Sequence, residues 1–501
     1  MQDFNILRYD STYGGPKSIT KEDIDTSNPA DLPQRWIGHS AIDMIVVRMD
    51  DLKSLQKNDP DRLAELRRWT SAGGVLVISD ITWFSTALKE LETLLSMRSL
   101  NVAETLRGWK HLGSANRVQR DLGFGWVIAS RNNEQLTINS SSLDSAKLIT
   151  VPNRGDWEHR QGISSDSSDD SFWNFLIPGV GLVPVWQFLV LISAFVILVG
   201  PVNYHLLRKA KRLSLLILTV PAGAAVVTLC LIGYALIADG LGVRVRARSL
   251  TQIDQTAGEA VCCARLSYYA GLSPSGGLTF HDDTAVCPLE SPQSESHSPR
   301  VTVWNGDEQR LVTGWLNSRT PTQLLTTRAR ASKAKLNIQV AADGTSVKVE
   351  NQLGTNIQKL LVIDAEGRIY AGDNIAAEKI VKLDLSKDEE AKWSLRNVII
   401  HNQPAIPEDF SQMNQSGGRR RGWTSYPQSY RSSKSMSNNG LPSPTQQTSQ
   451  METAINQLVV NLLNKKFEPK SYIAIVDRSP EVEFGTSVSE EASLHIIVGR
   501  W

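Results

Sequence analysis

The chain has 501 residues, enough for two or three domains of ordinary size. Its 53 Lys+Arg against 52 Asp+Glu leave a formal charge of +1, which gives no general argument for nucleic acid as a partner, and four cysteines are too few for a disulfide-built scaffold. A hydrophobic fraction of 41% is ordinary for a globular protein, but the average conceals two long apolar runs near the middle of the chain.

The opening residues, MQDFNILRYD, have neither a basic n-region nor an apolar h-region, so no signal peptide is visible. The first clear elements are in residues 1–150. AIDMIVVRMDDL supplies a short strand, Met44 to Val47, that ends in acidic residues. NDPDRLAELRRWTSAGG then carries helix signals at both ends: Asp59 can cap, Pro60 fits the first helical position, and Asp61 favours the positive end of the dipole. Leu63, Leu66 and Trp69 share one face at helical spacing, and Gly73 or Gly74 can take the left-handed conformation that closes a helix. VLVIS follows as a second buried strand. Strand, helix and strand in so short a span predict a βαβ unit with parallel strands.

DLGFGWVIAS has Gly123 and Gly125 but lacks the third glycine and the strand-before-helix setting of a dinucleotide site, so it reads as a hairpin or strand entry. Residues 151–178 form an acidic, Ser-rich linker. The run from Gly179 to Val202 and the run from Leu213 to Ala238 contain no charged residue, and each exceeds the roughly 20 apolar residues that a bilayer core requires. They predict transmembrane helices over 179–204 and 213–238, bracketed by Trp186 and Tyr204 at headgroup depth. The basic loop 205–212 carries Arg208, Lys209, Lys211 and Arg212 with no acid, which predicts a turn inside the cell and both flanking domains outside a cytoplasmic membrane. Arg244, Arg246 and Arg248, just beyond the second run, count against that orientation. A large outer domain needs an export signal, so an upstream leader or anchor is expected.

At this point a resemblance is visible. DMIVV…LAELRRWTSAGGVLVIS resembles the α/β domain, flavodoxin-like in its parallel sheet, that is related to class I glutamine amidotransferases and occurs in uncharacterised bacterial membrane proteins. GPVNYHLLRKAKRLSLLILTVP is similar to the hairpin of the same proteins, some of which resemble auxiliary subunits of ABC-type transporters in gliding and export systems. The resemblance covers about residues 35–85 and 175–250. Its chemistry does not carry over. That reaction needs a cysteine on a sharp strand-to-helix turn with a histidine as base, and the first cysteine here is Cys230. His39, His111 and His159 therefore have no nucleophile to activate, and the domain reads as catalytically silent.

Residues 239–402 change to short strands separated by turns, such as KLNIQVA with Leu336, Ile338 and Val340 on one face, which predicts a β-rich, sandwich-like domain. Cys262 and Cys263 are adjacent, and one of them could bridge to Cys287 in an exported domain; buried free thiols are the alternative. His281, Asp282 and Asp283 are consecutive, and on an extended chain they point to opposite faces, which disfavours a metal. Residues 403–450 form a polar insertion that buries too little apolar surface to order itself; Arg419 to Arg421 with Trp423 read there as a solvated basic patch. Residues 451–501 complete the β-rich domain with a helix, Ile455, Leu458, Val459 and Leu462 on one face, and two strands.

No catalytic, cofactor or metal residues are assigned, and nucleic acid is not expected. The expected function is a membrane-anchored, non-enzymatic scaffold or accessory subunit, its partners the lipid bilayer and other envelope proteins such as ABC-type transporter components. Asp50 and Asp51 are the candidate partner-binding residues. The rival is an enzyme using strand-end carboxylates, Asp43, Asp50 or Asp51; a third reading is a cytosol-facing regulatory module if the topology is reversed.

Overall fold

The helix predicted after Asn58 is the element around which the molecule is built. Asp59 accepts a hydrogen bond from the Arg62 amide (3.1 Å) and Pro60 occupies the first turn, so the helix begins where its orphan amides are satisfied. It ends at Ser71; Gly73 has φ +119°, and a Cβ on Gly74 would meet the Trp69 indole at 2.5 Å, so the chain turns here only without side chains. Leu63, Leu66 and Trp69 are buried as the spacing required.

The computed structural model describes residues 4–7, 24–27, 31–40, 42, 44–81, 84–97, 108–111, 117–131, 170–180, 185–211, 213–240, 242–289, 299–386, 388–405, 449–464 and 467–501. Its N-terminal strands are β1 (Phe4–Leu7), β2 (Ile24–Ser27), β3 (Met44–Arg48), β4 (Val75–Ser79), β5 (Lys110–His111), β6 (Arg117–Leu122) and β7 (Gly125–Ser130). The helices of this part are α1 (Met49–Asn58), α2 (Pro60–Ser71) and α3 (Phe84–Leu94). The strands form one sheet in the order β2-β1-β3-β4-β7-β6-β5. Only β3, β4 and β7 run parallel; β1 is antiparallel to β3, and β6 to β7. The expected parallel sheet is therefore corrected to a mixed one. Its edges are added by hairpins, including the turn at Gly123 (φ +64°) that joins β6 to β7.

The two apolar runs are helical. The first gives α4 (Val185–Ile197), a π-helical turn at Leu198–Val202 around Pro201, and α5 (Asn203–Lys209); the second gives a 3₁₀ turn at Leu213–Leu215 and α6 (Leu216–Asp239). Among the described residues no helix is long and apolar enough to cross a membrane. The transmembrane hairpin over 179–204 and 213–238, and with it the multi-pass placement in a cytoplasmic membrane with both domains outside, is therefore not supported. In the first run α4 has 13 residues before the π-helical turn breaks the repeat. Arg208 and Lys209 lie in the last turn of α5, where cations complement the dipole, and Lys211 follows with φ +55°; Arg212 lies outside the described residues.

The C-terminal strands are β8 (Val243–Asp254), β9 (Glu259–Ala270), β10 (Leu278–His281), β11 (Thr284–Leu289), β12 (Val301–Asn305), β13 (Glu308–Thr313), β14 (Thr322–Ala331), β15 (Lys335–Val340), β16 (Ser346–Gln352), β17 (Ile357–Ile363), β18 (Ile369–Ile375), β19 (Ile380–Asp384), β20 (Ser471–Val476), β21 (Val488–Glu490) and β22 (Leu494–Arg500). Helices α7 (Asp388–His401) and α8 (Gln450–Asn464) lie between β19 and β20 in sequence. A nine-stranded sheet runs β11-β14-β9-β8-β22-β20-β17-β18, with β21 also pairing with β8. Its pairs are antiparallel except β8 with β21 and β22. Two three-stranded sheets, β10-β13-β12 and β15-β16-β19, pack against one face. The other face is covered by helices. The β-rich, sandwich-like part is thus a large mixed sheet between helices on one face and two small sheets on the other, with which a sandwich-like character is loosely compatible. Alternation explains the small ones, since β16 buries Val347 and Val349 and exposes Lys348; β20 is buried along its whole length and has no alternation.

One apolar cluster joins the halves. Trp69 and Leu66 of α2, Ile45 and Leu76 of the N-terminal sheet, Leu250 and Ile496 of the large sheet, and Ile455 and Val459 of α8 belong to a single core. Around it Arg67 pairs with Glu259, and Arg68 Nε lies 3.3 Å from the same carboxylate.

Candidate functional site

In open α/β sheets ligands are received at the carboxyl ends of the parallel strands, so the ends of β3, β4 and β7 are the place to look. Arg48 closes β3, and its Nε donates to Asp51 (2.9 Å), which lies in the first turn of α1 and is 8% exposed. The Asp51 hydrogen bond holds the Arg48 guanidinium above its usual range. Asp50 beside it is exposed, and Ser54 bonds back to the Asp50 carbonyl. β4 ends at buried Ser79, and Asp80 follows with φ +68° before α3. Ser130 at the end of β7 is buried, and its hydroxyl has no hydrogen-bond partner. Among the described residues the crest thus carries Arg48 and three carboxylates, Asp50, Asp51 and Asp80, at the ends of β3 and β4, with exposed Arg131 following β7.

Asp80 carries its carboxylate in the left-handed conformation, a backbone that Asp tolerates better than most residues. His39 is not a base for that carboxylate. The ring is fully buried, its Nδ1 lies 3.2 Å from the Arg35 carbonyl, and the Trp69 indole is 6.2 Å away. Burial lowers its pKa. The unfolded chain therefore binds a proton at a higher pH than the folded chain does. Stability contributed by neutral His39 should be complete above about pH 6.5 and fall as the pH drops below it. Thermal unfolding at pH 7.5 and 5.5 should show a drop that shrinks in His39→Gln; an equal drop in both proteins would refute this. His111 is exposed on β5, and Asp43 and His159 lie outside the described residues.

No protein-family model matches this chain, and no curated protein matches it either.

The remaining sequence candidates separate in space. Cys262, Cys263 and Cys287 form no disulfide. Cys263 on β9 faces Thr327 of β14, and Cys287 on β11 faces Leu325 of the same strand, so β14 lies between them, which fits the thiol alternative and not the bridge. Cys262 points to the opposite face, where burial pushes its thiol up. Cys263 and Cys287 line a crevice with Trp36 and Met451, but at about 40 Å³ it has room for a few waters and not for a cofactor. His281, Asp282 and Asp283 are not extended, as Asp282 and Asp283 form a turn. His281 Nδ1 reaches Asp282 (3.1 Å) and Asp283 (3.0 Å), while Arg35 pairs with Asp282, and Arg328 with Asp283 (2.8 Å) and Glu483 (2.6 Å). Guanidinium groups hold these carboxylates. Among the described residues no group of three His, Cys, Asp or Glu side chains is placed to hold a metal. Residues 406–448, with Arg419 to Arg421 and Trp423, lie outside the described residues, as does most of the linker 151–178.

One constellation is invisible in the sequence. Ser249 Oγ lies 2.8 Å from His495 Nδ1, and His495 Nε2 lies 2.9 Å from Glu490 Oε2, the spacing of a nucleophile relay. Yet Ser249 is 0% exposed at mid-strand, so no substrate reaches it. With Arg478 on Glu490 (3.1 Å) and Thr251 on Ser479 (2.9 Å), it forms a polar seam between two apolar clusters. Ser249 and His495 lie 246 residues apart, and no local pattern connects them.

Proposed function

We propose that this protein is a non-enzymatic scaffold or accessory subunit that holds other proteins, through the apolar faces of α4–α6 and through the acidic crest at Asp50 and Asp51. The carrying observation is the run of exposed large apolar side chains on the helices. Leu189, Ile197, Leu206, Leu218 and Leu229 are each at least half exposed, and Ile217 is 84% exposed. An apolar surface of this extent marks an interaction site and not an ordinary solvated face. The resemblance to auxiliary subunits of ABC-type transporters supports partners of that kind.

The test uses the full chain, tagged and cross-linked in cell extracts, with mass spectrometry of what is retained. A discrete set of proteins should be held, fewer in Ile217→Glu/Leu218→Glu, with a smaller loss in Asp50→Asn, and no ammonia should be released from glutamine. Turnover abolished by Asp80→Asn or Asp51→Asn, with the fold intact, would replace this reading by the carboxylate-enzyme one. Capture of no protein, together with flotation on phospholipid vesicles, would equally overturn it.

A further inference from the structure

The three-stranded sheet β10-β13-β12 ends in β12, which among the described residues pairs with β13 on one side only. Edge strands are commonly protected by a charge, a proline, a bulge or a covering loop, because their free amides and carbonyls template another strand. β12 reads VTVWN, with no charge and no proline. Its one irregularity lies at its start, between Val301 and Thr302. Among the described residues nothing covers it: Val301 is 45% exposed, Val303 47% and Trp304 58%. Valine, threonine and tryptophan are strand formers whose exposure is costly when solitary and useful when paired across strands.

We infer that β12 is a self-complementary pairing edge, where two copies of this chain join antiparallel about a two-fold axis through Val303. The occupant follows from sequence and charge. Antiparallel pairing centred on Val303 sets each Val303 against its copy and each Thr302 against Trp304, so a β-branched pair lies on one face and aromatic–β-branched pairs on the other. The same register brings exposed Arg300, just before the strand and lying over the Trp315 ring at 5.6 Å, opposite Gly306 and next to exposed Asp307 of the second copy, twice by symmetry. A foreign apolar peptide would satisfy the edge without using that charge pair. Five residues a side bury less than a standard interface of about 1,200 Å² or more, so the dimer is weak and depends on concentration.

Sedimentation velocity of the full chain tests this, in a mild detergent that covers the exposed faces of α4–α6 and so removes their contribution to self-association. The wild type should pass from monomer to dimer as concentration rises. Val303→Lys places two like charges on the axis and should weaken association roughly tenfold or more. Asp307→Arg and Arg300→Asp should each weaken it, and the double exchange should restore it. These positions are exposed, so unchanged circular dichroism is expected of every variant, and the exchange pair reads the register even if one variant misfolds. A wild type that stays monomeric, a dimer indifferent to Val303→Lys, or a double exchange no better than the singles would each overturn the inference.

Discussion

Replacing Trp69 by alanine is expected to lower unfolding stability by about 3–5 kcal/mol, the range for deleting a large buried aromatic whose site cannot collapse. The indole is 0% exposed, its Nε1 donates to the Ile42 carbonyl (3.3 Å), and its face lies against Gly74. Collapse is hindered because α2 is packed from both sides, by the N-terminal sheet and by the large C-terminal sheet. The loss should therefore reach both halves, visible as one shifted urea transition reported equally by probes on β4 and on β20. Trp304→Ala, at an exposed site, should change stability by no more than about 0.5 kcal/mol. Two transitions, with only the N-terminal one moved by Trp69→Ala, would show that the shared core does not couple the halves.

Glu452→Ala should have an effect of similar size for an electrostatic reason. Arg248 on β8 has a side chain only 1% exposed; its Nε and Nη2 reach Glu452 at 2.6 and 3.2 Å, and its Nη1 donates to the Asn402 carbonyl (2.7 Å). Arg246, two residues earlier on the same strand face, is buried over the Phe175 ring at 4.6 Å and bonds to the Leu176 carbonyl, with no carboxylate. Burial first, and the charge of Arg248 second, lower its pKa to about 10. Removing Glu452 leaves Arg248 uncompensated beside a second cation, and breaking a buried pair from one side costs about 3–5 kcal/mol. Replacing both members, Arg248→Met with Glu452→Leu, should recover most of that loss, because the desolvation penalty disappears together with the attraction. Denaturant titration of the three variants separates the cases: a single variant as stable as the double would mean that water reaches Arg248.

Local elements were legible wherever the signal was local. Asp59, Pro60 and the glycines after Ser71 delimit α2 through capping and backbone freedom; the alternation in KLNIQVA marks β15, and the face of Ile455, Val459 and Leu462 marks α8. These depend on residues a few positions apart, and so the sequence by itself determined them. It also determined that residues 179–202 and 213–238 are apolar, but not what those surfaces face, because hydropathy counts side chains and cannot register the π-helical turn around Pro201. Tertiary structure alone decided the rest. The parallel pairing of β8 with β22 and the contact of Ser249 with His495 join residues 246 positions apart, and Arg248 meets Glu452 across 204. It also placed β14 between Cys263 and Cys287, turned the consecutive His281, Asp282 and Asp283 toward guanidinium groups, and set Asp80 at a strand end in the left-handed conformation. The reason is the same in each case: burial, strand order and ion pairing are set by what the folded chain brings alongside a residue, and a linear pattern carries only its neighbours along the backbone.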